Sequence, residues 1–356
     1  AGIDILGQVA QVDERTGLSQ EELKSIIGDY DALMIRSGTQ VTADVIEAAD
    51  RLRIIGRAGV GVDNVDVPAA TQRGVLVVNS PEGNTIAAAE HALALLLSLS
   101  RHVPQAHASM RAGAWDRKKY VGNELYKKVL GVVGLGKIGS HVAKVAKAMG
   151  MEVIAFDPFI SADRAQQMQV RLTTLEDLFR QADYITLHIP RTPDTENLVN
   201  AELLRTMKST ARIVNCARGG IVDEAAIAEA IDNGVIAGAG LDVFASEPLN
   251  PDSPLRAVER GLVLTPHLGA STEEAQENVA TDVAEQIRDV LLGLPARSAV
   301  NIPGLSAEIM ERLKPHLQLA ETLGLLVSQL SGGQVQELEV RLQGEFANHP
   351  SQPLVV

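Results

Sequence analysis

Short runs of aliphatic and β-branched residues alternate along the chain with longer stretches in which apolar residues recur at helical spacing. The short runs predict strands at Ala32–Ile35, Arg53–Gly56, Val75–Val78, Val129–Val133, Glu152–Phe156, Tyr184–Leu187, Arg212–Asn215, Gly238–Asp242 and Leu262–Leu264. Because strands and helices alternate, the pattern predicts an α/β fold, with parallel sheets that are covered by helices on both faces.

The alternation divides into two units, which predicts two doubly wound, Rossmann-like domains. Residues 1–81 form the first, a substrate-binding domain, and residues 272–302 return to it through the amphipathic stretch Thr272–Leu292. Residues 82–271 form the second, a dinucleotide-binding domain. The long apolar helix predicted at Asn84–His102 either links the two domains or is an ordinary core helix, and its composition does not decide.

The pattern changes after Ile302. Ala307–Gln329 has helical periodicity, Ser331–Gly333 breaks it, and Val335–Leu342 alternates like a strand. Residues 303–356 are therefore predicted to be the start of a smaller α+β third domain, with a polar tail at Ala347–Val356.

Composition narrows the function. The 356 residues carry a net charge of −13, which argues against a general nucleic-acid or anionic-membrane binder. The single cysteine, Cys216, excludes an internal disulfide framework and favours the cytosol. The longest apolar run, near Ala92–Leu99, is too short for a bilayer span, and no signal segment opens the chain. The expected location is the cytoplasm, or an organelle stroma after loss of a targeting segment.

A dinucleotide-binding fingerprint follows the predicted strand Val129–Val133. Gly134, Gly136 and Gly139 form a GxGxxG motif that opens a helix, and Asp157 ends the next strand 21 residues beyond Gly136. In this context the first glycine permits a tight turn, the second admits the pyrophosphate, and the third allows close packing. Asp157 would accept the ribose hydroxyls and repel a 2′-phosphate, which favours NAD. The alternative is a glycine-rich turn with a solvated aspartate.

Three polar residues lie at the ends of later strands, where ligands bind in open α/β sheets. Oxidation of a 2-hydroxy acid requires a base, a cation for the carboxylate, and a group that orients the base. His267, Arg218 and Glu247 are the residue types that fit these roles in turn. Taken singly, each is more often a surface or structural residue.

The surrounding segments resemble the D-isomer-specific 2-hydroxyacid dehydrogenases over about Ile3 to Pro303. The matching segments are Val214–Asp223, Leu241–Phe244 with Glu247-Pro248, and Thr265–Gly269, and the spacings of 29 and 20 residues between Arg218, Glu247 and His267 agree. The resemblance implies the three catalytic roles and NAD as the cofactor. It also implies that Asp242 binds the nicotinamide amide, although a turn cap is the alternative. The remaining residues assigned to the cofactor are Lys137, Ile138, His188, Pro190, Thr195, Cys216, Ala217, His267 and Gly269.

Three further segments are similar to family members that oxidise 3-phosphoglycerate: Ile35–Ser37, Gly56–Asn64 and Trp115–Tyr120. By this likeness the backbone N–H groups of Gly59, Val60 and Gly61 bind the substrate carboxylate, and Asn84 contacts substrate. Arg36, Arg57 and Arg117 would face the phosphate, Arg117 from a neighbouring subunit, so a homodimer or homotetramer is expected. The alternative for Trp115–Tyr120 is a solvated basic loop.

The expected function is therefore NAD-dependent oxidation of a small molecule, 3-phosphoglycerate, at the start of serine synthesis. The alternatives are another small 2-hydroxy acid, such as glycerate, glyoxylate or lactate, or an NAD-binding corepressor of the same fold. Cys216 is interpreted as a packing residue rather than a nucleophile. No metal site is expected, because His91, His102, His107, His141 and His188 lack ligand spacing and are interpreted as helical or packing residues.

The chain departs from the family at both ends. Family members begin with a strand ahead of a helix like the one predicted at Gly2–Val9, so the first sheet is expected to lack a strand as written. Long members also continue into a serine-sensing domain beyond the length of this chain, so feedback control by serine is not carried over.

Overall fold

The computed structural model of the chain describes residues 1–302 and the helix at 307–330. The chain folds into two compact units, Ala1–Gly83 with the segment from Gln276 onward, and Asn84–Ala275. None of the described helices is both long enough and apolar enough to cross a membrane.

The first unit is built on a three-stranded parallel sheet in the order β1–β2–β3. Its strands are β1 (Ala32–Ile35), β2 (Ile54–Arg57) and β3 (Leu76–Asn79). Its helices are α1 (Gly2–Leu6), α2 (Gln20–Ile26), α3 (Ala43–Glu47) and α4 (Val67–Gln72), together with most of α12 (Glu273–Leu291).

Both faces of this sheet are buried by aliphatic side chains. Ile55 and Val77 pack into one cluster, whereas their neighbours Ile54 and Val78 pack with α12 in another. This is the alternation that a parallel sheet covered on both faces requires. A Cβ at Gly56 would overlap side chains of α12, so the absence of a side chain there permits the close approach of the helix.

The second unit is a seven-stranded parallel sheet in the order β10–β9–β8–β7–β4–β5–β6. Its strands are β4 (Val129–Val133), β5 (Glu152–Phe156), β6 (Arg171–Leu172), β7 (Tyr184–Leu187), β8 (Arg212–Asn215), β9 (Gly238–Leu241) and β10 (Leu262–Leu264). Its helices are α5 (Thr85–Arg101), α6 (Val103–Arg111), α7 (Lys137–Ala148), α8 (Ala162–Gln167), α9 (Leu175–Gln181), α10 (Ala201–Arg205) and α11 (Glu224–Asp232). The strand order reverses between β4 and β7, and ligands bind at the carboxyl ends of strands beside such a reversal.

The predicted α/β fold is confirmed, with small differences in the strands. The strands predicted to begin at Arg53 and Val75 are each shifted one residue later, and the strand predicted to end at Asp242 ends at Leu241. The short strand β6 was missed because its two residues, one of them exposed, carry no apolar run. Asp242 therefore lies just beyond the sheet, which places its side chain among the loops at the carboxyl edge.

The long helix α5 is a core helix of the second unit. It buries one face that includes Ala92, Leu95 and Leu96, while Leu97 is 40% exposed on another. Asn84 and His102, the ends of the predicted helix, flank the observed one as its capping residues.

Beyond residue 302 the described chain consists of the helix α13 (Ala307–Leu330), which ends one residue later than predicted. The predicted strand Val335–Leu342 and the polar tail Ala347–Val356 lie outside the described residues. The third domain, 303–356, stays a prediction, as do the other domain boundaries.

Candidate active site

The loop from β4 to α7 has the shape of a phosphate cradle. Gly134 has a φ of +93°, and a Cβ there would meet the carbonyl oxygen of His188. A Cβ at Gly139 would overlap the carbonyl of Gly134, whereas a Cβ at Gly136 would meet nothing within 4 Å. The first and third glycines are therefore needed for packing, and the second leaves an open face at the N-terminus of α7, where backbone N–H groups favour an anion.

The side chain of Asp157 turns back onto this cradle. Its Oδ2 accepts a hydrogen bond from the Leu135 N–H at 2.7 Å, and its Oδ1 accepts from the N–H groups of Phe159 and Ile160 at 2.8 and 3.2 Å. These bonds fix a carboxylate beside the glycine loop, where the ribose of a dinucleotide lies in this fold. Lys137 and Ile138 begin α7 beside the same loop.

The segment after β7 forms another wall at this edge of the sheet. His188 is partly buried, and its Nε2 lies 2.9 Å from Thr186 Oγ1. Burial lowers the pKa of His188 to about 4, so the ring is neutral at physiological pH. Thr195 Oγ1 donates to the carbonyl of Pro190 at 2.7 Å, which ties these two predicted cofactor residues into one turn.

The loop after β8 carries Cys216, Ala217 and Arg218. Buried Asn215 holds it, because its Nδ2 donates to the Arg218 carbonyl at 2.9 Å and its Oδ1 accepts from the Ala217 N–H at 3.0 Å. Burial, and then the negative charge of Asp242, raise the pKa of the Cys216 thiol far above its usual range. A thiol that keeps its proton is a poor nucleophile, which supports the packing interpretation.

A close backbone approach brings the Arg218 loop to the segment that carries Glu247. A Cβ at Gly219 would overlap the carbonyl of Phe244, so only glycine fits there. The Phe244 N–H in turn donates to Glu247 Oε1 at 3.0 Å. The structure thus joins the segments of two predicted catalytic residues.

His267 and Glu247 form the hydrogen bond that the sequence predicts. His267 Nδ1 lies 2.6 Å from Glu247 Oε2, with the two side chains 49% and 36% exposed. Because Nδ1 is occupied by the carboxylate, Nε2 is the ring nitrogen that remains for a reacting hydroxyl group. His267 adopts a φ of +56°, an uncommon conformation for a residue with a side chain.

Asp242 is fully buried and anchors the turn around His267. Its Oδ1 accepts from the Leu268 N–H at 2.7 Å and its Oδ2 from the Gly269 N–H at 2.8 Å. Thr265 Oγ1 donates to Oδ1 at 2.6 Å, and His91 Nε2 lies 3.1 Å from the same oxygen. Asp242 is therefore at least a turn anchor, and contact with a nicotinamide amide stays a prediction.

His91 was interpreted from the sequence as a helical or packing residue; it lies in α5, but its hydrogen bond to Asp242 was not predicted. A histidine in an apolar helix gives no sequence signal of its partner, since Asp242 lies 151 positions away. The donor atoms of His91, Cys216 and Asp242 lie within 4.8 Å of one another, the one such group of three among the described residues. We assign this group to hydrogen bonding, because His91 and Asp242 already bond each other and the carboxylate has four donors.

The first unit places the predicted anion-binding residues at one edge of its sheet. Ile35 pairs with Arg57 in the register of β1 and β2, so Arg36 and Arg57 both lie at the carboxyl ends of neighbouring strands. Gly59 has a φ of +148°, and a Cβ there would overlap the Arg57 guanidinium, which lies across it. The Arg57 side chain and the loop of Gly59, Val60 and Gly61 are thus in contact.

Two other predicted substrate residues belong to the second unit. Asn84 precedes α5, and its Oδ1 is buried without a hydrogen-bond partner among the described residues, as expected of a group that awaits a ligand. Arg117 lies in an exposed 3₁₀ turn, Arg117–Tyr120, and forms no hydrogen bond or ion pair within residues 1–302 and 307–330.

Comparison with known proteins agrees with this geometry. Residues 93–269 match the family model "D-isomer specific 2-hydroxyacid dehydrogenase, NAD binding domain". The chain belongs to the D-isomer-specific 2-hydroxyacid dehydrogenase family. The matched residues lie within the second unit, which therefore contains the NAD-binding domain of this family, and the residues of the glycine cradle fit that cofactor.

Two relatives of similar sequence carry the same name. The chain is 65% identical over all its 356 residues to D-3-phosphoglycerate dehydrogenase of Synechocystis sp., and 50% identical over 346 residues (97% of the chain) to the protein of that name from Methanocaldococcus jannaschii. It spans 64% and 66% of the lengths of these relatives.

Solved structures also align with this chain. The TT0316 protein of Thermus thermophilus has a TM-score of 0.77 at 36% identity, and D-lactate dehydrogenase of Escherichia coli has 0.74 at 28% identity. Each alignment covers 84% of this chain and 96% of the other.

Proposed function

We propose that this dehydrogenase oxidises 3-phospho-D-glycerate to 3-phosphohydroxypyruvate with NAD, the first step of serine biosynthesis. The observation that carries the reaction class is the 2.6 Å contact of His267 with Glu247, beside the Arg218 loop at the carboxyl edge of the NAD-binding sheet. The substrate is supported by the shared name of the relatives and by Arg36 and Arg57 at one sheet edge.

The proposed chemistry removes a hydride from one carbon of the substrate and a proton from the hydroxyl group that this carbon carries. When bound, NAD supplies a nicotinamide ring that accepts the hydride. His267 Nε2 takes the hydroxyl proton as the carbonyl forms, and Glu247 orients the ring and stabilises its protonated form. Arg218 binds the carboxylate through a guanidinium, which suits a planar anion.

The remaining substrate contacts position the other end of the molecule. The N–H groups of the loop Gly59–Gly61 would bind the carboxylate, and Asn84 would contact the substrate through its buried Oδ1. Arg36 and Arg57 would bind the phosphate, with Arg117 added by a neighbouring subunit. Fixed cations of this kind align the substrate so that its reacting carbon faces the base.

We propose that NAD is strongly preferred over NADP. The Asp157 carboxylate is fixed beside the glycine cradle, where it would accept the ribose hydroxyls and repel a 2′-phosphate. The other cofactor contacts are assigned to residues in the loops at the same edge of the sheet. These are Lys137, Ile138, His188, Pro190, Thr195, Cys216, Ala217, Asp242, His267 and Gly269.

Asp157→Ser is expected to lower kcat/KM for NAD by about tenfold to a hundredfold, because it removes a charge-assisted acceptor. The value of kcat/KM for NADP should fall less, so that the preference for NAD over NADP becomes smaller. Steady-state kinetics with both cofactors measure it, and Asp163→Ser, an exposed carboxylate on the next helix, is the control. Equal efficiency with NAD and NADP in the unaltered protein would overturn the assignment.

Two alternative functions are compatible with the same fold. Another 2-hydroxy acid would leave the catalytic residues unchanged, whereas a corepressor would bind NAD without turnover. Adding 3-phosphohydroxypyruvate to the protein with NADH separates enzyme from binding module. We expect consumption of NADH that depends on protein concentration, and tight NADH binding without consumption would favour the corepressor.

We also propose a homodimer or homotetramer, formed chiefly through residues 84–102 and 111–126. Several apolar side chains of this region are exposed in the single chain, including Leu97 at 40%, Trp115 at 73% and Val121 at 75%. Exposed patches of this kind commonly mark protein interfaces. Sedimentation at micromolar protein should give at least the dimer mass, and a monomer would contradict the proposal.

The proposal for the compartment rests on the sequence alone. We propose the cytoplasm or an organelle stroma, because one cysteine is typical of a reducing compartment. Fractionation of cells that produce the protein tests this.

A further inference from the structure

A chain of hydrogen bonds runs from the middle of helix α5 to the turn that holds His267. We propose that His91 is a positioning residue for the catalytic turn, which acts on His267 through the buried carboxylate of Asp242. The inference rests on the proposed function, because it concerns how the base of that reaction is held.

The Asp242 carboxylate is the centre of this chain. It receives hydrogen bonds from the N–H groups of Leu268 and Gly269, from the Thr265 hydroxyl, and from His91 Nε2, at 2.6 to 3.1 Å. Four donors for two fully buried oxygens compensate the lost hydration of the charge.

The two backbone donors belong to the residues that directly follow His267. The His267 N–H also donates to the backbone carbonyl of Asp242 at 2.8 Å, so the turn is bonded on both sides of the catalytic residue. Because His267 has a φ of +56°, the surrounding bonds must hold a conformation that its own backbone disfavours. Loss of the bonds to Leu268 and Gly269 would release that constraint.

His91 is the donor in this network that comes from a helix, α5. Its side chain is 19% exposed, and its Nε2 lies 3.1 Å from both Asp242 Oδ1 and Thr265 Oγ1. With the proton on Nε2 the ring donates toward both oxygens, while the Thr265 hydroxyl donates to the carboxylate. Helix α5 is packed into the core, so this donor has a fixed place.

The charge of Asp242 responds to this donor. Burial opposes the charge, but the hydrogen bonds from His91, Thr265 and the Leu268 N–H outweigh it and lower the pKa of Asp242. The Cys216 thiol also lies within 4.8 Å of the Asp242 carboxylate, and its burial keeps it neutral. Loss of His91 raises the pKa of Asp242, and a protonated carboxyl no longer accepts from all four donors.

His91→Leu is expected to lower kcat by about tenfold to a hundredfold, the usual effect of small misplacements of a catalytic group. The acid limb of its kcat profile should move to higher pH, because Asp242 gains a proton more easily. His91→Gln keeps an N–H donor and should recover most of the rate and the original limb. Thr265→Val, which removes a second donor from the same oxygen, should shift the limb in the same direction.

Hydrogen–deuterium exchange gives a readout that does not need turnover. Peptides covering residues 264–270 should exchange faster in His91→Leu than in His91→Gln. The matched control is His107→Leu, an exposed histidine on the next helix, which should leave both the rate and the exchange unchanged.

If the unaltered protein is inactive, the proposed function is rejected. If exchange at residues 264–270 is nevertheless faster only in His91→Leu, the positioning role of His91 is kept. The positioning role is wrong if His91→Leu equals the unaltered protein in rate, pH profile and exchange. It is also wrong if His91→Gln is as impaired as His91→Leu with an unmoved acid limb, because that pattern indicates packing alone.

Discussion

His267→Ala is expected to lower kcat by about two to four orders of magnitude, the usual range for loss of a positioned general acid–base. In the structure the His267 ring is held by the Glu247 carboxylate and is 49% exposed, so a substrate can reach it. NAD affinity should change little, because the residue is assigned to the proton transfer. Steady-state rates and NADH binding by fluorescence measure the two effects separately.

Glu247→Gln provides the graded comparison. It keeps a side chain of similar size but removes the negative charge, so the imidazolium is stabilised less and the rate should fall less than in His267→Ala. A near-normal rate in His267→Ala would refute the assignment of the base.

Arg57→Ala is expected to raise KM for 3-phosphohydroxypyruvate by about tenfold to a hundredfold, with a much smaller effect on hydroxypyruvate. The two compounds differ by a phosphate, so only the phosphorylated one should respond to loss of a phosphate-binding cation. Arg57 is the last residue of β2, and its side chain lies across Gly59, the first residue of the loop Gly59–Gly61. Added salt should weaken binding of the phosphorylated compound more than that of the plain one.

Arg51→Ala is the matched control for this change. Arg51 precedes the same strand at its amino end and forms an exposed ion pair with Asp31 at 2.8 Å, which contributes little to stability. Its loss should leave both KM values unchanged. Equal effects of Arg57→Ala on both compounds would remove the phosphate role.

Much of the fold was predictable because its strands are buried on both faces. Runs such as Tyr184–Leu187 are buried throughout, as central parallel strands must be, and the glycine motif marks the first βαβ unit of the NAD-binding sheet by itself. The two-residue strand β6 escaped prediction because pairing with β5, rather than its own pattern, makes it a strand. Tertiary contacts decide such short elements.

The residue types of the proposed catalytic site were predictable from the sequence, but the contacts that hold them in place were not. The roles of Arg218, Glu247 and His267 follow from side-chain chemistry and the family resemblance. The bond from His91 to Asp242 joins residues far apart in sequence, and the collision that makes Gly219 necessary involves backbone from another loop. Neither leaves a periodic or local trace in the chain, so only the folded structure reveals them.

The most direct test of the proposed function is a comparison of kcat/KM for NADH-dependent reduction of 3-phosphohydroxypyruvate, hydroxypyruvate, glyoxylate and pyruvate by the unaltered protein. With at least one charge-assisted contact to the phosphate, the phosphorylated substrate should exceed each of the others by at least about tenfold. Preference for hydroxypyruvate or glyoxylate would contradict the phosphoglycerate assignment and leave a dehydrogenase of another 2-hydroxy acid.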